Sequence, residues 1–141
     1  MYDVIDIAKK LVKKGVESVD FGGEYMTESK LQKMLYMLQK YYIAALDKPL
    51  FKEPIIATEY GPVCQKVRDY FGENGYYGII FDGETIEFES ENEEAIFNYV
   101  LRFHNVYSAI GLLNKIKKDN DYLEAIASDD HIIKFYTLKI K

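Results

Sequence analysis

The sequence predicts a mainly α (α+β) fold, a compact helical domain around a central long helix at about 28–47, with one short β-hairpin at about 78–88. Hydrophobic residues make up 48% of the chain, which is enough for a core of ordinary size. Apolar residues recur with the period of a helix in most segments, whereas one short stretch has the pattern of paired strands. We therefore expect helices to form most of the core.

Composition limits the class of protein. At 141 residues the chain has the usual size of one domain, so we expect a single domain at 1–141. The net charge of −5 argues against a nucleic acid as ligand. The single cysteine, Cys64, excludes an internal disulfide and suits a reducing compartment. Apolar runs fall short of the roughly 20 residues that a membrane span needs, so we expect a cytoplasmic protein without a membrane partner.

Local signals delimit the central helix. Thr27 is a suitable N-cap, and Pro49 prevents the helix from continuing beyond about Asp47. At about 100° per residue, most of the helix circumference is apolar, which is typical of a helix packed on several sides. The remaining arc, of about 120°, is the polar stripe. It consists of Ser29, Gln32, Lys33, Tyr36, Gln39 and Lys40.

Tyr36 is a large aromatic residue on this polar stripe, between Lys33 and Lys40. Two interpretations stay open. Tyr36 either covers a neighbouring loop with its hydroxyl in water, or it is an exposed anchor flanked by cations, a combination enriched at binding hot spots. In both cases Tyr36 lies away from the core, so Tyr36→Ala is expected to leave the fold intact.

Residues 51–71 are predicted to contain an extended segment followed by a helix. The extended segment contains Pro54, so it is expected to be at most an edge strand. Pro62 suits the first position of the helix, where its missing N–H costs nothing. The residues Tyr60-Gly61-Pro62 either form a simple turn or present free N–H groups and a positive dipole end to a partner carboxylate.

The C-terminal half begins with the hairpin signal, in which Asp82-Gly83 suits a type I′ turn. Ser90 and Glu93 have the spacing of a capping box, and Ser108 is a suitable cap for a further helix. A final short helix is expected from about Asp129. The helix after Ser90 is predicted to include the apolar residues Ala95, Ile96, Tyr99, Val100 and Phe103.

Catalytic patterns are weak throughout the chain. His104 and His131 lie far apart, and neither has a histidine three or four residues away, as a helical metal site requires. Cys64 has no histidine near it in the sequence and is expected to be a small buried residue. We therefore expect a protein that is not an enzyme, with no catalytic residue, no metal site and no cofactor.

Three segments resemble, in order and spacing, the Panacea domain family, which includes SocA-like antitoxins and phage GepA-like proteins. They are Leu31-Gln32-Lys33-x-Leu35-Tyr36, Lys48-Pro49-Leu50-Phe51 and Tyr60-Gly61-Pro62-Val63. The resemblance implies a small, mostly helical antitoxin that neutralises a cognate toxin by direct binding, with delivery to a protease in SocA-like members. It covers 27–71. The C-terminal half departs from the family pattern, because 112–123 has neither the usual His nor the usual Trp.

The predicted partner-binding site combines the polar stripe with the turn that follows the extended segment. The resemblance implies a cognate toxin or a host protein as partner, and the acidic net charge favours a basic one. The alternative function is a phage or mobile-element accessory protein that binds and inhibits a host protein or a defence system. An aromatic content of 15% also permits a homodimer. The predicted partner-binding residues are Lys33, Tyr36, Lys40, Tyr60, Gly61 and Pro62.

Overall fold

The computed structural model describes residues 1–17, 25–72 and 77–135. Within these ranges the chain forms six α-helices and a two-stranded antiparallel hairpin, so the predicted fold class is confirmed. None of the helices is long and apolar enough to cross a membrane. The elements in chain order are α1 Val4–Glu17, α2 Glu28–Leu46, β1 Ile56–Thr58, β2 Gly61–Val63, α3 Gln65–Phe71, α4 Glu91–His104, α5 Ala109–Ile116 and α6 Asn120–Ala127.

Helix α2 is central, as predicted. Thr27 caps it, because the Thr27 Oγ1 accepts a hydrogen bond from the Lys30 N–H at 3.2 Å. Every residue from 31 to 39 is buried, so more than two helical turns are covered on all sides. The covering elements are α1, α3, α4, α5 and β2. The helix ends at Asp47, which adopts a φ of 55° and donates its N–H to the Ile43 carbonyl.

The hairpin lies at residues 56–63. Ala57 is opposite Pro62 in the antiparallel register. On the other side of β1, the Ala57 N–H donates to the His131 carbonyl at 2.8 Å, so β2 is the outer strand and tolerates a proline. The prediction that Pro62 begins a helix is therefore wrong, and α3 begins instead at Gln65.

The prediction of a hairpin at 78–88 is wrong, because residues 77–88 contain no strand. This segment runs beside α1, whose lysines bind its carbonyls. Lys10 Nζ donates to the Ile86 carbonyl at 2.8 Å, and Lys13 Nζ donates to the Gly83 carbonyl at 2.8 Å. The Ile86 carbonyl, which the predicted hairpin would pair across strands, is thus bonded to a helix side chain instead.

Serine caps begin α4 and α5, as predicted. The Ser90 Oγ accepts from the Glu93 N–H at 3.3 Å, and the Ser108 Oγ accepts from the Gly111 N–H at 3.0 Å. The helix predicted from about Asp129 is wrong, because residues 129–135 are not helical. Residues 131–133 instead make backbone bonds to β1 and to the residue before it.

Helix α4 carries apolar residues on two sides. Of the apolar residues that the sequence placed on this helix, Val100 is buried, whereas Tyr99 and Phe103 are 47% and 52% exposed. The buried apolar side consists of Phe97, Val100, Leu101 and His104.

Candidate functional site

Most of the polar stripe of α2 faces protein and not solvent. Tyr36 is 0% exposed and Lys33 is 5% exposed. The predicted exposure of these two side chains is therefore wrong, and the Tyr36 hydroxyl does not lie in water. Four side chains of the stripe form hydrogen bonds with other segments of the chain, namely Gln32, Tyr36, Gln39 and Lys40.

Tyr36 joins α2 to the connection between α5 and α6. Its hydroxyl donates to the Asp119 Oδ2 at 2.8 Å, and Lys40 Nζ donates to the same oxygen at 2.6 Å. The Tyr36 ring packs on Phe135 with 5.4 Å between ring centroids. Burial and the adjacent Asp119 carboxylate raise the pKa of Tyr36 far above its usual range, so the hydroxyl remains a hydrogen-bond donor.

Lys33 lies against the hairpin. A Cβ added to Gly61 would lie 3.2 Å from the Lys33 Cε and 3.3 Å from the Leu113 Cδ1. Gly61 also has a φ of +123°, so both the space and the backbone conformation favour glycine there. Lys33 Nζ donates to the Ser29 Oγ at 2.7 Å, and burial lowers the pKa of Lys33. Two predicted site residues, Lys33 and Gly61, are thus in contact inside the fold.

Two glutamines of the polar stripe bind extended backbone, and we call them the glutamine clamps. Gln32 accepts from the Cys64 N–H at 2.8 Å and donates to the Cys64 carbonyl at 3.1 Å. Gln39 accepts from the Leu50 N–H at 2.8 Å and donates to the Phe51 carbonyl at 2.9 Å. Each amide satisfies a buried donor and a buried acceptor of the main chain, as a neighbouring strand would.

The helix that carries the first of the three resembling segments thus contacts the other two. Lys33, within the first segment, lies against Gly61, and Gln39, further along α2, binds the backbone at 50–51. A family model described as antitoxin SocA-like, Panacea domain, matches residues 31–135. The chain belongs to this family. Comparisons with curated proteins and with solved structures gave no match.

The family match includes the C-terminal half of this Panacea domain, although the sequence there lacks the expected His and Trp. Tyr122 is 2% exposed, and its hydroxyl donates to the Thr58 carbonyl in the hairpin. Tyr122 therefore packs inside the domain and connects α6 to β1.

The partner-binding role of the six predicted residues stays a prediction. Gly61 and Pro62 are buried within β2. The Lys40 side chain keeps 15% of its surface and is paired with Asp119. Tyr60, at the tip of the hairpin, is 77% exposed. Among the six, Tyr60 is the one that presents a large free side chain.

A larger exposed apolar area of the Panacea domain lies on α4, α5 and their connection, and we call it the aromatic surface. Single exposed apolar residues are ordinary, but a group of them close together usually marks an interaction site. The Tyr99 and Phe103 rings lie 4.7 Å apart between centroids, and the other three residues follow along the same stretch of the chain. The sequence pattern placed Tyr99 and Phe103 on a helix but did not indicate which side of that helix is exposed. The apolar residues on two sides of the helix were the available signal. The aromatic surface consists of Tyr99, Phe103, Val106, Tyr107 and Ile110, which are 47%, 52%, 60%, 38% and 73% exposed.

An apolar depression of about 280 Å³ adjoins the aromatic surface at Tyr99. The Tyr41 ring forms its base, with 5.5 Å between the centroids of Tyr41 and Tyr99. This volume is below the usual range of small-molecule sites and suits an anchoring side chain of a protein partner. The depression is lined by Tyr41, Ala45, Ala95, Ile96 and Tyr99.

His104 lies behind this depression, with 5.3 Å between its ring centroid and that of Tyr41. It is 4% exposed, and neither ring nitrogen has a hydrogen-bond partner among the residues that the structure describes. Burial, together with the nearby cations Lys115 and Lys40, lowers the pKa of His104 to about 4. The imidazole is therefore neutral at pH about 7.

This burial predicts that acid destabilises the domain through His104. In the unfolded chain His104 takes up a proton below pH about 6.5, whereas in the folded chain it does so only below about 4. The free energy of unfolding therefore declines as the pH falls between these two values. We expect a loss of about 2 to 3 kcal/mol at pH about 4. Urea unfolding at pH about 7 and about 4.5 should show a smaller pH effect in His104→Leu than in the wild type.

His131 provides the matched control for this prediction. It is exposed and has a φ of 58°, which asparagine tolerates, so His131→Asn removes the other histidine without disturbing the core, and the same two unfolding measurements on this variant serve as the comparison. An unchanged pH dependence in His104→Leu would show that His104 is protonated equally in the folded and unfolded chain.

Two further features concern metal ligands and the Cys64 thiol. No group of three or more His, Cys, Asp or Glu side chains in residues 1–17, 25–72 and 77–135 is placed to hold a metal ion. Burial raises the pKa of the Cys64 thiol, which disfavours the reactive thiolate.

Proposed function

We propose that this Panacea domain is an antitoxin that neutralises a cognate toxin by direct protein contact in the cytoplasm. The family match over residues 31–135 carries the proposal, because that family is named for an antitoxin. The exposed aromatic surface supports contact with a protein, since aromatic side chains are enriched at the centres of protein interfaces. In this proposal the domain acts by binding and not by catalysis.

The buried part of the predicted site then has a supporting role. The glutamine clamps and the Tyr36 contact hold 48–51, 60–64 and Asp119 on α2. A rigid scaffold lowers the entropy lost on binding, so these contacts keep the outer surface ready for its partner. Tyr60, on the hairpin tip, is available for a second contact with the toxin.

Co-expression with the product of the adjacent gene tests the proposal. We expect the neighbouring product to arrest growth when expressed alone, and co-expression with this domain to restore growth. The two proteins should also co-purify as a stable complex at physiological salt. A neutralised toxin that is degraded instead would disappear from the cells, and its recovery in a protease-deficient strain would identify delivery to a protease.

Two results would contradict the antitoxin proposal. One is a neighbouring product that does not affect growth, and the other is growth arrest that this domain does not relieve. The phage or mobile-element accessory role would then be tested by expressing this domain alone and measuring whether it inhibits the host or a defence system.

A further inference from the structure

Charge is distributed unevenly along this acidic chain. Residues 95–118, which carry the aromatic surface, contain no Asp or Glu, so all 23 acidic residues lie outside this segment. Its cations are Arg102, Lys115, Lys117 and Lys118. The segment is therefore locally basic in a protein with a net charge of −5.

Two of these cations stand directly at the exposed rings. The Arg102 guanidinium lies 5.8 Å from the centroid of the Phe103 ring. Lys115 Nζ lies 4.5 Å from the centroid of the Tyr107 ring. The apolar centre of the surface thus has positive groups at two of its rings. An apolar centre with a charged rim is the usual anatomy of a protein interface.

We propose that the aromatic surface binds an apolar segment of a partner protein that carries Asp or Glu residues beside its apolar side chains. One apolar side chain of the segment occupies the depression beside Tyr99, and its carboxylates pair with Arg102 and Lys115. The inference rests on the proposed function in taking a protein as the partner. It differs from the expectation of a basic partner, since net charge does not describe the charge of a local surface.

Two other occupants fit the surface less well. A single-stranded nucleic acid would use the rings and cations, but Val106 and Ile110 are aliphatic and are the most exposed residues of the surface. A second copy of the chain would have to bring an acidic region of its own to this surface, because two copies of the same locally basic surface repel each other. The test below includes both occupants.

A display library of random peptides tests the proposal and does not require that the partner be known. Each peptide should be long enough to form about four helical turns. We expect the selected peptides to combine apolar residues with Asp or Glu. Phe103→Ala should weaken their binding roughly tenfold or more, as truncation of a central aromatic residue does at an interface. Arg102→Glu and Lys115→Glu should each weaken binding to the same peptides, more strongly at low salt.

Matched controls lie elsewhere on the surface. Leu123, on α6, is 49% exposed, so Leu123→Ala removes a comparable apolar side chain outside the aromatic surface. Lys52 is exposed in the connection after α2, so Lys52→Glu makes the same charge reversal at a distance in the chain. Both controls should bind the selected peptides as the wild type does. Thermal unfolding of every variant would verify that it remains folded.

Several results would overturn the proposal. The selected peptides could lack acidic residues, or Phe103→Ala could bind them as tightly as the wild type does. The selection could also yield no peptide whose binding depends on Phe103. Self-association that Phe103→Ala abolishes would assign the surface to a second copy, and Phe103-dependent binding of a single-stranded oligonucleotide would assign it to nucleic acid. If acidic peptides are selected but the domain does not restore growth, only the antitoxin proposal is contradicted. If the domain restores growth, the Phe103→Ala variant restores it equally and no such peptide is selected, only the role of the aromatic surface is contradicted.

Discussion

Tyr36→Ala should destabilise the domain by about 3 to 5 kcal/mol, as expected when a fully buried aromatic ring is removed. The ring is 0% exposed and packs on Phe135, so its removal leaves a cavity between α2 and Phe135. Because domains are stable by only about 5 to 15 kcal/mol, much of the stability would be lost. Urea unfolding followed by circular dichroism measures the effect. The result would reverse the expectation that this substitution spares the fold.

Tyr36→Phe separates the ring from the hydroxyl. It keeps the packing and removes the hydrogen bond to Asp119, whose carboxylate retains Lys40. We expect a loss of about 1 to 2 kcal/mol, well below that of Tyr36→Ala. If both variants unfold at the wild-type urea concentration, Tyr36 is exposed in solution and the burial described above is incorrect.

Gln39→Ala should cost about 2 to 5 kcal/mol, although it removes a polar side chain. The Leu50 N–H and the Phe51 carbonyl both lose their bond to Gln39 in a buried site, and each unsatisfied group costs about 1 to 3 kcal/mol. The measurement is again urea unfolding. Amide exchange at Leu50 should also accelerate, since its N–H loses its acceptor.

Gln65 is the matched control for this clamp. Its amide donates to the Asp69 carboxylate at 2.8 Å, but the pair is exposed and lies within one helix. Gln65→Ala should therefore change stability by no more than about 0.5 kcal/mol. Equal effects of Gln39→Ala and Gln65→Ala would mean that water replaces the Gln39 bonds and that the clamp contributes little.

Features with local causes could be predicted from the sequence. The cap at Thr27, the caps at Ser90 and Ser108, and the end of α2 depend on residues within one or two turns. The burial of α2 also followed from its wide apolar arc. These elements have the signals that sequence patterns carry most directly.

Features with distant causes were missed. The period correctly placed Tyr36, Gln32 and Gln39 on one stripe, but nothing local indicates that Asp119 and the backbone at 50–51 and 64 cover that stripe. Polarity was therefore taken as exposure. A polar side chain with a distant partner gives the same pattern as one in water.

The two strand segments illustrate the same limit. Asp82-Gly83 has good turn chemistry, yet Lys13 binds the Gly83 carbonyl and the segment does not pair as a hairpin. The segment 56–63 contains a proline and has weak strand signals, yet it forms the hairpin, because His131 supplies an acceptor on its other side. Neither Lys13 nor His131 is near its partner in the sequence.

The Tyr36 and Lys40 bonds to Asp119 have a consequence for synthesis on the ribosome. The bonded residues are separated by 83 and 79 positions, so both bonds wait until nearly the whole domain has been translated. A nascent chain that stops before Asp119 contains the central helix but not the acceptor or the β1 contact at Ile132. Such truncated products would expose apolar surface and become substrates for proteases. Completed chains would thus be the ones that accumulate.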